Sequence, residues 1–277
     1  MLKQRVVTAL VLVAALLSAL AWSPLAFAGL LTLGFSLAQA EWLRLSGWSF
    51  RTSLLVALTL GLAQFAWFAA APASIVMAAP VVVTVATAMW IGLGGVLLRS
   101  EKKGVVRWSP GISRVLALVL PFAAWCALML FLQLGAVMLL SVLVIVWLAD
   151  IAAYFVGRAF GRSKLAPHIS PGKTWAGVWG AIVGVVVVAW LAWEGFPRAP
   201  LFTSRLLDAF GIPLAAAALS ALVVISIIGD LAESLLKRQA NAKDSSNLLP
   251  GHGGFFDRLD SMFALLPAAA LLWTWSK

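Results

Sequence analysis

Nine stretches of predominantly apolar residues follow one another along the chain, and most approach the roughly 20 residues that a helix needs to cross a lipid bilayer. Hydrophobic residues occupy 63% of the 277 positions and charged residues only 11%, whereas a soluble domain carries about 25% charged residues. We therefore predict an all-α, polytopic transmembrane bundle of about nine helices, forming a single integral membrane domain over residues 1–277. The predicted spans are roughly 5–22, 25–41, 52–70, 74–98, 114–132, 136–157, 175–193, 212–232 and 260–276.

The N-terminus imitates a secretory signal peptide, because a basic start is followed by an apolar run and an Ala-Phe-Ala triplet. The apolar run from Val6 to Trp22 is longer than the usual core of such a peptide, and a second apolar stretch begins at Leu25. We therefore expect two uncleaved helices that are separated at Ser23 and Pro24.

The lysine and arginine residues indicate an orientation in the membrane. When the nine spans alternate in direction, 17 of the 20 basic residues fall on one side, and only Arg198, Arg205 and Lys277 fall on the other. Cytoplasmic loops are enriched in Lys and Arg, so we predict a cytoplasmic N-terminus and an external C-terminus in a bacterial-type inner membrane. Topology thus accounts for the net charge of +10, and we expect no nucleic-acid partner.

Most of the acidic residues fall on the predicted cytoplasmic side, and Asp230 is the most informative of them. It follows the apolar run 223–229 near the end of the eighth span, where a carboxylate is costly unless it is paired or coordinated. Glu233, Ser234 and Lys237 share its helical face. This pattern favours the wall of a charged, water-filled site over a polar helix end with an Asp–Lys pair. Four other acids are interpreted as solvated surface charges: Glu41, Glu101, Glu194 and Asp208.

The segment after the eighth span combines basic residues, glycines and acids. Glycines flank His252, which lets the backbone turn sharply and approach a ligand closely. Asp257 and Asp260 are spaced i, i+3 at the start of the last span, and we expect both to point the same way. Together with Asp230 they would form an oxygen cage suited to Mg²⁺. The density of acids and bases at a membrane face indicates metal-assisted phosphoryl transfer at the cytoplasmic side.

A second polar cluster begins at Asp150 and Tyr154 and continues to the sequence Ser170-Pro171-Gly172-Lys173-Thr174 before the seventh span. A hydroxyl residue beside a basic residue at a helix start is a natural phosphate contact. The alternative is a helix N-cap next to a lysine that sets topology. The residues alone leave both interpretations open.

The run from Ser234 to Asp260 reads SLLKRQANAKDSSNLLPGHGGFFDRLD, and it resembles the full signature of the phosphatidate cytidylyltransferases, also called CDP-diacylglycerol synthases. The segments 229–233, 150–154 and 170–175 are also similar to that family, although Ala176 stands where members often have Glu. The resemblance is firm in the C-terminal half, so we assign residues 136–277 as the catalytic half that carries the signature at 234–260. Residues 1–132 are assigned as N-terminal apolar helices.

The resemblance implies a nucleotidyltransferase of phospholipid biosynthesis that transfers CMP from CTP to phosphatidate, giving CDP-diacylglycerol and pyrophosphate. It implies Mg²⁺, with two bound cations of which the second is either divalent or monovalent, held by Asp230, Asp257 and Asp260, with Asp244 as a further ligand. The expected catalytic residues are these four together with Lys237 and Lys243. The expected substrate-binding residues are Asp150, Tyr154, Ser170, Lys173, Thr174, Ser234, Arg238, His252, Gly253, Gly254 and Arg258. A homodimer is left open as the oligomeric state.

Two other functions stay open on the residues alone. A transferase that passes a sugar phosphate to a polyprenyl phosphate would also need membrane aspartates and Mg²⁺. A cation-coupled transporter would use intramembrane acids for ions, but such a path needs polar residues through the full depth of the bilayer, and here the acids cluster at one face.

Overall fold

The computed structural model describes residues 2–103 and 108–276. Within these ranges it contains nine α-helices and one two-stranded antiparallel sheet. The elements in chain order are α1 (Leu2–Trp22), α2 (Pro24–Leu45), α3 (Phe50–Ala70), α4 (Pro72–Lys103), α5 (Pro110–Gln133), α6 (Ala136–Phe160), β1 (Lys164–Ala166), β2 (Ser170–Thr174), α7 (Trp175–Gly195), α8 (Phe202–Gln239) and α9 (Phe256–Trp275).

The all-α polytopic class is confirmed. The helices α2 to α8 contain seven segments that are long and apolar enough to cross a membrane. The helix α9 is not among them, since three of its first five residues are charged. The chain is therefore a multi-pass membrane protein, and the exact number of crossings stays a prediction.

Hydroxyl side chains cap the starts of several helices and explain where the apolar runs break. Ser23 accepts a hydrogen bond from the Ala26 backbone N–H at 3.0 Å, and Pro24 occupies the first helical position. Ser49 and Ser109 cap α3 and α5 in the same way. The predicted break between the first two helices is confirmed.

The helix α8 is longer than the predicted span of 212–232. It starts at Phe202, bends at Gly211, whose φ of 72° is outside the helical range, and continues to Gln239. Hydropathy marks only its apolar middle, whereas the backbone stays helical through the polar residues that follow. This extension keeps Glu233 and Lys237 on the same helix as Asp230.

The helices α5 and α9 lie at the centre of the bundle. Both contain long runs of buried residues, 123–131 in α5 and 261–270 in α9. In the core, Trp42 of α2 stacks on Phe256 at the start of α9, with ring centroids 4.9 Å apart. The hydroxyl of Thr8 donates to the carbonyl of Pro250 at 2.9 Å, so the start of α1 lies beside the loop between α8 and α9.

The described basic residues lie at the ends of the bundle that the predicted alternation of helices assigns to them. Arg44, Arg99, Arg114 and Lys173 lie at or near the ends that share a side with the α8–α9 loop. Arg198 and Arg205 lie at the opposite end, between α7 and α8. Arg107 and Lys277, which entered the predicted sorting, lie outside the described residues.

Candidate functional site

The predicted site residues all lie at one end of the bundle. The C-terminal turns of α6 and α8, the N-terminal turns of α7 and α9, the β1–β2 hairpin and the α8–α9 loop meet there. The hairpin was not expected from the sequence. It pairs Lys164 with Thr174 and Ala166 with Ser170, and so carries Lys173 back towards α8.

Three carboxylates form a cluster between α8 and α9. Oxygen atoms of Asp230, Glu233 and Asp260 lie within 4.8 Å of one another. A Cβ atom on Gly229 would come within 2.5 Å of the Asp260 carbonyl oxygen, so only glycine lets the two helices approach this closely. Charges of one sign at this spacing repel strongly unless cations neutralise them. The cluster is therefore a candidate cation site.

Two lysines contact this cluster. The Lys173 ammonium lies 2.6 Å from an Asp230 oxygen. The Lys237 ammonium lies 2.7 Å from Glu233, one helical turn away, and also 2.7 Å from Asp257 of α9. The predicted shared face of Asp230, Glu233 and Lys237 is thus present, and Ser234 joins it by donating to Asp230 at 3.3 Å.

Asp257 does not belong to the cluster, contrary to the expectation that it points the same way as Asp260. Its carboxylate accepts from the Ser245 N–H, the Ser245 hydroxyl and the Gly254 N–H, each at 2.8 Å, and pairs with Lys237. Burial by itself raises the pKa of Asp257, but contacts with Glu233 and Lys237 and the hydrogen bonds from Gly254 and Ser245 outweigh it and lower the pKa to about 2. The side chain is held by the loop, and its role as a metal ligand stays a prediction that this geometry disfavours.

A polar cavity of about 630 Å³ opens beside the cluster, between α6, α7, α8 and the hairpin. Asp230 forms part of its wall and is shared with the carboxylate cluster. Thr174 caps α7 by accepting from the Gly177 N–H at 3.2 Å, so the N-cap interpretation of this residue is confirmed. The charged and hydroxyl-bearing residues that line the cavity are Asp150, Tyr154, Arg158, Lys164, Lys173, Thr174, Ser226 and Asp230.

The remaining predicted residues lie around the α8–α9 loop and the hairpin. Gly251 and Gly253 have φ values of 76° and 83°, as expected for glycines that turn the chain around His252. Arg258 donates twice to the His252 carbonyl, at 3.1 and 2.7 Å, and so ties the loop to α9. None of these remaining residues belongs to the cluster or lines the cavity. Ser170 pairs within the hairpin, while Arg238, Lys243 and Asp244 lie exposed.

Comparison with known proteins identifies the family. The Cytidylyltransferase family matches the chain over residues 3–275. The chain belongs to this family. This chain is 39% identical to the phosphatidate cytidylyltransferase of Pseudomonas aeruginosa, over 99% of its own residues and 97% of those of the relative. It is 38% identical to the phosphatidate cytidylyltransferase of Haemophilus influenzae over 96% of each chain.

A shorter and more similar match is the phosphatidate cytidylyltransferase of Brucella suis, which is 50% identical over 133 residues, or 47% of this chain and 43% of that protein. The resemblance inferred from the signature is confirmed, and the protein is a nucleotidyltransferase. The family match also extends through the N-terminal half, which the signature does not reach.

Two acids of this cytidylyltransferase were wrongly interpreted as solvated surface charges. Glu101 has a side chain that is 15% exposed, and it accepts from the backbone N–H of His168 at 2.9 Å. Glu41 is only 2% exposed and contacts the α8–α9 loop. Its position at the site end of an apolar helix was the available signal, because the argument that singled out Asp230 applies equally to Glu41.

Proposed function

We propose that this cytidylyltransferase transfers CMP from CTP to phosphatidate, giving CDP-diacylglycerol and pyrophosphate, and that it does so at the cytoplasmic membrane face. The observation that carries this proposal is the proximity of three features: a carboxylate cluster, a cavity lined by lysines and an arginine, and an apolar groove on the neighbouring turns of α6 and α7. Together they suit a nucleotide and a lipid phosphate. The names of the Pseudomonas and Haemophilus relatives support the same activity.

The apolar groove suits an acyl chain of the lipid. It has a volume of about 300 Å³ and lies between α6, α7 and the start of α8. Ile145 and Val185 line it about one helical turn beyond Ala149 and Ala181, which line the polar cavity. An amphiphile could thus bind with its phosphate in the cavity and an acyl chain along the groove, while CTP enters from water.

The donor set of the carboxylate cluster fits Mg²⁺. All three ligands offer oxygen, and one Glu233 oxygen is buried without a hydrogen-bond partner in the described part of the chain. Asp230, Glu233 and Asp260 would hold the ion, and a bound cation would neutralise charge on the pyrophosphate leaving group. A second cation, with Asp257 or Asp244 as ligand, stays a prediction.

In this reaction the chain's own residues bind the phosphates and align them. A phosphatidate oxygen forms a bond to the α-phosphorus of CTP as the bond from that phosphorus to the bridging β-oxygen breaks and pyrophosphate leaves. The lipid phosphate has a second pKa near 6, so no strong general base is needed. Lys164 and Lys173 in the hairpin and Arg158 on α6 can bind the phosphates and align them. Thr174 holds the start of α7 so that Lys173 faces the cavity.

Activity in detergent tests the proposal and separates it from the two rivals. Purified protein given radiolabelled CTP, phosphatidate and Mg²⁺ should yield lipid-soluble cytidine and one pyrophosphate per lipid formed, and EDTA should stop the reaction. Product formed only from UDP-sugar and polyprenyl phosphate would favour the sugar-phosphate transferase. Silence in both assays together with ion flux in sealed vesicles would favour a transporter, because transport needs two compartments.

The orientation is part of the proposal, since CTP is cytoplasmic. With Cys126 replaced, cysteines placed at Lys164 and Asn247 should be shielded from an impermeant thiol reagent in intact cells, and one at Pro200 should react. Labelling of Asn247 from outside would overturn the cytoplasmic assignment of the site. A homodimer stays a prediction.

A further inference from the structure

Glu41, near the C-terminal end of α2, contacts the signature loop from the opposite half of the sequence. One carboxylate oxygen accepts from the Ser245 hydroxyl and from the Phe256 N–H, each at 2.7 Å. The other oxygen accepts from the Ser246 hydroxyl and from the Phe255 N–H at 3.1 Å. One turn further along α2, Arg44 donates to the Ser245 carbonyl. The end of α2 thus holds both the loop and the first turn of α9.

Such a contact requires a close fit. A buried carboxylate is costly unless hydrogen bonds replace its water, and here four donors surround it. Two of these donors are backbone N–H groups at the start of α9, where the helix dipole also favours a negative charge. A Cβ atom on Gly254 would come within 2.3 Å of the Glu41 carboxylate, so a larger residue here would displace that carboxylate from its donors.

The contact continues from Glu41 to the carboxylate cluster. The Ser245 hydroxyl that lies against Glu41 is also 2.8 Å from Asp257. Asp257 in turn lies 2.7 Å from the Lys237 ammonium, and this ammonium lies 2.7 Å from Glu233 of the cluster. Every step is a contact of 2.8 Å or less, and the single Ser245 proton is shared between Glu41 and Asp257. The position of the Lys237 charge next to the cluster therefore depends on where the loop holds Asp257.

We infer that Glu41 is a positioning residue: by fixing Ser245 and the start of α9, it keeps Lys237 shared between Asp257 and Glu233 rather than fully engaged with the cluster. This inference rests on the proposed function, because it concerns the cation requirement of that reaction. When the loop is loosened, Asp257 no longer holds the Lys237 ammonium, which then pairs with Glu233 alone and competes more strongly with a cation for that carboxylate. The apparent affinity for Mg²⁺ then falls even in protein that is fully folded.

The variant Glu41→Gln tests this, because it keeps the shape of the side chain but turns an NH₂ group towards at least one donor. Initial rates are measured against Mg²⁺ concentration at saturating CTP and phosphatidate, and are normalised to the folded fraction. We expect kcat to fall at least tenfold and the Mg²⁺ midpoint to rise at least threefold. The matched control is Glu194→Gln at the exposed far end of α7, which should behave as wild type.

A merely structural role would leave both the normalised rate and the Mg²⁺ midpoint unchanged, and that result would overturn the inference. If Glu41→Gln does not fold, Ser245→Ala decides, since it removes only the hydroxyl between Glu41 and Asp257 and should raise the midpoint in the same direction by a smaller factor. An unchanged midpoint in Ser245→Ala would also overturn it. A silent wild type would count against the proposed function alone, and the Mg²⁺ midpoint would then be read from thermal stabilisation.

Discussion

Asp257 and Asp260 lie three residues apart on α9, yet replacing each with Asn should change the stability of the metal-free protein in opposite directions. Asp260 lies within 4.8 Å of two other carboxylates. Two unit charges at that distance repel by about 3.5 kcal/mol at an effective dielectric constant of about 20. Lys173 and Lys237 offset part of this repulsion. We therefore expect Asp260→Asn to raise the free energy of unfolding in EDTA by about 1–3 kcal/mol, or the melting temperature by about 3–8 °C.

Asp257 is held by favourable contacts instead. The variant Asp257→Asn would leave the partly buried Lys237 with one carboxylate partner fewer and would weaken three hydrogen bonds. Removing one partner of a buried charge pair costs about 3–5 kcal/mol, so the melting temperature in EDTA should fall. The two variants involve the same chemical change on one helix, and each serves as the control for the other.

Mg²⁺ should reverse the order of stability between wild type and Asp260→Asn. A ligand present at 100 times its Kd stabilises the folded state by about 2.7 kcal/mol, and wild type should gain this while Asp260→Asn gains little. Activity of Asp260→Asn should fall by at least about 10²-fold, as for other losses of one electrostatic group in a catalytic site. Thermal unfolding in detergent, followed with and without Mg²⁺, measures these effects. Equal destabilisation by both variants in EDTA, or loss of Mg²⁺ stabilisation only in Asp257→Asn, would refute the assignment of the cluster.

Two further predictions concern packing at the site. Val188→Trp, in the wall of the apolar groove, should lower the rate with long-chain phosphatidate at least tenfold more than the rate with a short-chain analogue. Val183→Trp, on another, exposed face of α7, should not distinguish the two substrates. Equal effects of Val188→Trp on both substrates would remove the groove as an acyl-chain site. Gly229→Ala should push α8 away from the Asp260 carbonyl, lower the free energy of unfolding by about 1–3 kcal/mol and reduce activity. The control Gly92→Ala, whose added Cβ meets no atom within 4 Å, should leave stability and activity unchanged. A wild-type rate in Gly229→Ala would contradict the close approach of α8 and α9.

Local patterns in the chain predict the helices and the end of the bundle at which the polar residues gather. Apolar runs of bilayer length, interrupted by Ser-Pro and similar breaks, predict helices because they depend only on neighbours in the chain. The alternation of those helices then brings the polar segments after α6 and α8 to one end. Asp230 could be recognised as a candidate site residue for the same local reason, since its cost in an apolar helix does not depend on its partners.

The division of the acids among their partners depends on how the helices pack in the folded protein. The i, i+3 spacing of Asp257 and Asp260 indicates a shared helical face, but it does not reveal that loop N–H groups and Lys237 take one carboxylate while α8 takes the other. Glu41 was misjudged because its hydrogen-bond partner Ser245 is 204 residues away in sequence. The burial of a charge depends on which helices pack around it. That packing is set by contacts between distant segments, such as the close approach of α8 to α9 at Gly229, which local periodicity does not encode.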